Sequence, residues 1–206
     1  MRKLALIAAI LTAFSAIAAA QTADEIIQRM DQEVSKGDVV GASMIFDMRI
    51  PIIGTVSSSM KMLGDLSRAD TDLKGEKIIL WINKETSWTY TSSKNEIVIE
   101  NVKDKQSSNQ DDDMLKGITE GYSTKLVGET ADTWQILCTK TKENKSKDDP
   151  KKMDLVVSKK TYMPVSLTAK VKGFTFIIHD YTLGVQKAEV TFDPSAYPGV
   201  KITDKR

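Results

Sequence analysis

The feature that most constrains this chain is the alternation of apolar and polar residues in many short stretches. In "ASMIFDMRI", Met44, Phe46, Met48 and Ile50 fall on one side, and Ser43, Asp47 and Arg49 on the other. "SSSMKMLGD" puts Met60 and Met62 on one side, and in "PVSLTAKV" Val165, Leu167, Ala169 and Val171 alternate with Ser166, Thr168 and Lys170. A period of two is the signature of a strand. "LSRADTDL", "KIILWIN", "TSWTYTS", "NEIVIENV", "TWQILCTK", "FTFIIHDYTL" and "AEVTFDP" read the same way. Turns bearing glycine or polar residues separate them at short intervals, which predicts about eleven strands in antiparallel meanders closing into a barrel or deeply curved sheet.

Helical signals are few. "TADEIIQRMDQEVSKG" predicts an amphipathic helix, with Thr22 and Glu25 as a capping box, Gly37 as the stop, and Ile26, Ile27, Met30 and Val34 on one face. "DDDMLKGITEG" predicts a short helix with Met114, Leu115 and Ile118 on one side. Two such segments are too few to cover a parallel sheet.

Residues 1–20, "MRKLALIAAILTAFSAIAAA", have a basic start, a short apolar run and small residues at Ala18 and Ala20. That pattern predicts a cleaved secretory signal with the mature start near Gln21, and residues 21–206 as a single domain. The competing reading, a membrane anchor, requires about 20 apolar residues. No cysteine follows the run, so lipid attachment there is not expected, and no later segment is apolar enough to span a bilayer.

With 29 basic against 28 acidic side chains, nothing in the charge favours nucleic acid. Cys138 is the single cysteine and reads as a small buried hydrophobe beside Trp134 and Ile136. His179 is the single histidine. Asp180 follows it, and adjacent strand residues point to opposite faces, so no ready dyad is expected. No nucleophile elbow, phosphate loop or metal-ligand spacing is present, and "DDD" at 111–113 lacks the glycine and glutamate of a calcium loop. A binding protein without cofactor or metal is expected, rather than an enzyme. "KTKENKSKDDPKK" reads as a solvated hairpin loop or a lysine-rich docking or membrane-surface patch.

Two clusters point to a ligand. Met44, Met48, Met60 and Met62 share one face of two successive strands with Phe46. Methionine adapts to irregular partners, so this face reads as a pocket wall for a flexible apolar ligand, or as ordinary core beneath the N-terminal helix. The segment "WINKETSWTYTSSKNEIVIE" concentrates Trp81, Trp88 and Tyr90 on one hairpin. A carrier of acylated molecules needs a cavity, because each methylene exposed to water costs about 0.8 kcal/mol.

That hairpin resembles the segment of LolA-type outer-membrane lipoprotein carriers in which a strand, a short polar turn (here Asn83-Lys84-Glu85-Thr86) and a W-x-Y strand follow one another. "VTFDPSAYPGVKITDKR" resembles the family's closing segment, with Phe192, Pro194, Gly199, Val200, Asp204 and Arg206 in the matching places. "TADEIIQRMDQ" and "LVVSKKTYMPVSLTAK" fit in the style of Bacteroidetes members. The resemblance implies a mainly β fold with helices, an incomplete antiparallel β-barrel with a helical lid over a hydrophobic cavity. Met44, Phe46, Met48, Met60, Met62, Trp88 and Tyr90 would form the cavity wall, the last two as structural aromatics more than lipid contacts. Ile26, Met30, Met114, Leu115 and Ile118 would belong to the lid. Enterobacterial carriers tie the lid with the arginine of a K-R-P stretch. Met62-Leu63-Gly64 stands there instead, and neither Arg49 nor Arg68 fits the motif.

The implied function is a monomeric periplasmic carrier, taking acylated lipoprotein or other lipid from an inner-membrane lipoprotein-releasing ABC transporter to an unidentified outer-membrane acceptor. Two alternatives stay open: a carrier or sensor of another amphiphile such as a pigment lipid or glycolipid, and an envelope-stress regulator that binds a protein.

Overall fold

The computed structural model describes residues 21–102 and 118–206. The chain opens with α1 (Ala23–Val34). Its capping box forms as expected: Thr22 Oγ1 accepts from the Glu25 amide at 3.2 Å, and Glu25 Oε2 accepts from the Thr22 amide at 2.9 Å. Gly37 is not the stop. The helix ends at Val34, and Gly37 opens a second short helix, α2 (Gly37–Val40), after which Gly41 turns the chain at φ 76°. Gly37 has a packing reason, since a Cβ there would lie 2.9 Å from the Tyr181 hydroxyl.

Among the described residues twelve strands follow in one sheet: β1 (Ala42–Ile50), β2 (Gly54–Leu63), β3 (Leu66–Leu73), β4 (Glu76–Ile82), β5 (Thr86–Thr91), β6 (Glu96–Asn101), β7 (Tyr122–Glu129), β8 (Thr133–Lys140), β9 (Lys152–Ser158), β10 (Pro164–Val171), β11 (Phe174–Leu183) and β12 (Lys201–Asp204). Two meanders, β1–β6 and β7–β11, join through the antiparallel pairing of β1 with β11. β12 lies parallel to β6 at one edge and β7 forms the other, so the barrel is incomplete.

One expected strand is absent. In "AEVTFDP", residues Lys187–Val190 form a helical turn, α3, and the edge strand comes later at Lys201–Asp204. Alternation is outweighed there by a cap, because Glu189 Oε2 accepts from the Gln186 amide at 2.8 Å while Val190 is buried.

Residues of α1, β1, β8, β9, β10 and β11 form one buried cluster. Five flat strands would span about 19 Å, whereas a helix is about 10–12 Å across. The sheet therefore curls around α1, which lies on its concave side. Residues paired directly across strands share a face. The register thus places Met44, Met60, Ala69, Leu80, Thr89 and Val98 on the concave face, and Ile45, Ser59, Asp70, Ile79, Tyr90 and Ile97 on the convex one.

Candidate functional site

The concave face changes character across the sheet. Met44 sits directly opposite Met60, and Ala42 opposite Met62. Met44 is only 2% exposed beneath α1, whereas Phe46, Met48, Met60 and Met62 are half-buried. The apolar strip continues through Ala69 and Leu80, joined by Ile78 and Ile82, all partly exposed, and Thr89 separates it from Val98. Phe46 and Phe176 close the other side of Met48, with ring centres 5.8 Å apart. Leu80, Val98 and Phe176 escape the sequence reading. The available signal was the unbroken apolar run of "KIILWI", since a strand apolar on both faces is covered on both.

α1 plugs one half of this hollow. Ile26, Ile27, Met30 and Val34 are all buried. Burying each is worth about 1.5–3 kcal/mol, so detaching α1 costs about 6–12 kcal/mol, comparable with the whole stability of a domain. Ile26 and Met30 thus belong to the core beneath a fixed helix, and the accessible apolar surface is the strip beyond it. Ile118 packs against the same cluster. Met114, Leu115 and the acidic run at 111–113 lie outside the described residues. The outer face of α1 borders a polar depression lined by Gln21, Glu25, Gln28, Arg29 and Gln32, unsuited to acyl chains.

Trp88 and Tyr90 are not with the methionines. The register puts both on the convex face, opposite Trp81 and Ile79. There the segment after β11 covers them: Phe192 stacks on Trp88 at 5.5 Å and meets Trp81 at 5.3 Å, while Tyr197 lies 5.6 Å from Trp81 and 5.1 Å from Tyr90. This is a second, aromatic core. Arg68 joins it, its carbon Cζ 5.3 Å from the Trp81 ring, with a two-point grip on Asp70 at 2.7 and 2.8 Å that raises its pKa. Lys61 pairs with Glu189 of α3 and holds that turn down. Arg49 and Arg68 both face away from α1.

The remaining chemistry is sparse. Adjacent strand residues diverge, yet His179 Nδ1 lies 3.0 Å from Asp180 Oδ2. A bulge explains the departure: Ile45 pairs with His179 but Ser43 with Thr182, and Asp180 takes φ 53°, turning its carboxylate back onto the ring. Nε2 faces Asp47 at 3.3 Å, so both ring nitrogens are engaged. Cys138 is buried, as expected, and burial pushes its thiol up to about 11. Among the described residues no group of three His, Cys, Asp or Glu side chains is arranged to hold a metal ion. The lysine-rich loop at 141–151 is ordered by Asn144 and Ser146, which donate to Asp149 at 2.8 and 2.9 Å and lower its pKa.

No protein-family model matches the chain, and no curated protein matches it in sequence. Among solved structures it is similar to an uncharacterized conserved protein from Thermus thermophilus, with 14% identity and a TM-score of 0.51 over 89% of this chain and 99% of that one. That likeness establishes a shared fold. Looser similarities are to a LolA superfamily protein from Nitrosomonas europaea (11% identity, TM-score 0.36, 85% of this chain and 100% of that one). MucB in the Pseudomonas aeruginosa MucA/MucB complex is looser too (11% identity, TM-score 0.43, 83% of this chain and 61% of that one).

Proposed function

We propose that this chain is a binding protein that shelters the acyl chains of an amphiphile on the concave apolar strip. The observation that carries this reading is the partly exposed strip from Phe46 and Met60 through Ala69 to Leu80, continuous with the buried cluster that includes α1. Met48, Met60 and Met62 are partly exposed on this face, where flexible thioethers adapt to a chain without fixed shape.

The signal-like residues 1–20 and the LolA-like hairpin and closing segment favour a more specific role. The chain is a Bacteroidetes-type periplasmic carrier that receives lipoprotein from an inner-membrane ABC transporter and delivers it to the outer membrane as a monomer. A role in binding rather than catalysis is part of this proposal, supported by the burial of the single thiol and the holding of the single imidazole between two carboxylates.

The test is displacement of a fluorescent fatty-acyl probe from the wild-type protein and from Met60→Lys. A cation there competes with acyl packing while its stem reaches water, so probe affinity falls with the fold retained. Unchanged affinity overturns the assignment of the strip. Mass spectrometry of material co-purifying from the host identifies the cargo. A pigment lipid or glycolipid would replace lipoprotein in this reading, and a protein without lipid would point to envelope-stress regulation.

A further inference from the structure

Strands β1, β3, β5, β8 and β10 all run toward the same rim of the sheet. The β1–β2 turn there is Pro51-Ile52-Ile53, and Ile52 is fully exposed and Ile53 54% exposed. Leu73, at the end of the neighbouring β3, is exposed as well. Ile52 also adopts φ 72°, directly after a proline. That turn position favours glycine or asparagine, and a β-branched residue there is an outlier. Selection for folding alone would fill the site differently. A strained, fully exposed isoleucine at the outermost point of a hairpin has its use outside the fold.

The surroundings identify the partner. Arg49 stands at the foot of the turn, Lys170 and Lys172 on the β10–β11 hairpin to one side, and Lys74 and Lys77 on the β3–β4 hairpin to the other. The 141–151 loop brings Lys142, Lys145 and Lys147 to the same rim. Lys172 meets Asp148, but both are largely exposed and such a pair is weak. The same rim also carries Asp72, Glu76, Glu143, Asp148 and Asp149, which these eight cations outnumber, whereas on the opposite rim Asp65, Glu85, Glu129 and Asp132 outnumber Lys84, Lys159 and Lys160. A protruding apolar tip ringed by cations on separate hairpins matches a flat anionic surface. Neither signal suffices alone, since a small apolar insertion needs a basic patch to hold it at a membrane.

We propose that this rim docks on an anionic lipid bilayer, with Ile52 and Ile53 entering the boundary between headgroups and acyl chains while the lysines meet the headgroups. The site is distinct from the acyl-binding strip and does not depend on it.

The experiment is vesicle flotation with the chain from Gln21 onward, using phosphatidylethanolamine–phosphatidylglycerol vesicles and pure phosphatidylcholine vesicles. Binding to the anionic vesicles should exceed binding to the neutral ones by about tenfold, and should fall with salt. Ile52→Asn with Ile53→Ser should lose about tenfold on the anionic vesicles. That variant melts at or above the wild-type temperature, because asparagine accepts the positive φ. It also keeps its affinity for the fatty-acyl probe, which separates docking from cargo binding. Lys170→Gln with Lys172→Gln and Lys74→Gln should remove the preference for anionic lipid. Three results overturn the proposal: no vesicle binding by the wild type, equal binding by the Ile52→Asn/Ile53→Ser variant, or equal binding to neutral vesicles. Each would leave the exposed tip to a protein partner.

Discussion

Arg29 and Tyr162 stand 133 residues apart in the chain and meet twice: Arg29 Nη1 donates to the Tyr162 hydroxyl at 2.9 Å, and Arg29 Cζ lies 5.0 Å from the Tyr162 ring centre. Tyr162 takes φ 56° in the β9–β10 turn, and its ring packs on Trp134 at 5.2 Å. The same hydroxyl lies 3.1–3.2 Å from the Gln21 amide. Arg29 is on α1 itself, so this contact ties the helix to the β9–β10 turn.

Tyr162→Phe removes the hydroxyl while keeping the ring on Trp134 and under Arg29. A loss of about 0.5–1.5 kcal/mol is expected in urea unfolding. The more specific sign is faster amide exchange across Ala23–Val34, with exchange in β8 and β9 unchanged. Equal acceleration everywhere would mean that the contact is merely general stability.

Met44 and Met60 face each other across β1 and β2 but lie in different environments. Met44→Lys buries an unpaired charge beneath α1 and should cost at least about 3 kcal/mol. Met60→Lys should cost about 1 kcal/mol, since its cation can reach water. Thermal unfolding of the two variants side by side checks this, and similar losses would place both residues in one dry core.

Trp81→Ala opens the convex aromatic core and should cost about 3–5 kcal/mol. It removes the partner of both Phe192 and Tyr197. Limited proteolysis should then cut first within residues 185–200, while fatty-acyl probe affinity stays at the wild-type level in protein that remains folded. Lost probe binding in folded protein would connect this face to the ligand after all.

Burial raises the Cys138 thiol from 9.0 to about 11 and the Tyr122 phenol from 10.0 to about 12. Both stay neutral in the native state when the unfolded chain has already ionised. Their contribution is therefore fully present below pH 9 and is lost as pH rises through 11 to 12. Stability measured by denaturant titration should decline across that range. Cys138→Ala should flatten the lower part of the decline, and an unchanged slope would assign it to other groups.

Within each strand the sequence determined which side chains share a face, because a pleat of period two leaves no freedom there. It also determined the start of α1, where the capping box is a local device, and the presence of a second apolar face in "KIILWI". It did not determine how faces align between strands. Met60 and Trp88 are both even-numbered, but each of the pairings β2–β3, β3–β4 and β4–β5 matches an even residue with an odd one. Three such exchanges carry Trp88 to the side opposite Met60. A change of one residue in any turn would reverse that outcome, so the parity rests on turn lengths that composition does not state. Three further features were fixed only when distant segments met. These are the pairing of β1 with β11, the bulge that returns Asp180 to His179, and the clasp of Arg29 by Tyr162. Each depends on contacts far apart in the chain, whose cost in chain entropy is met only once the whole sheet has closed around α1.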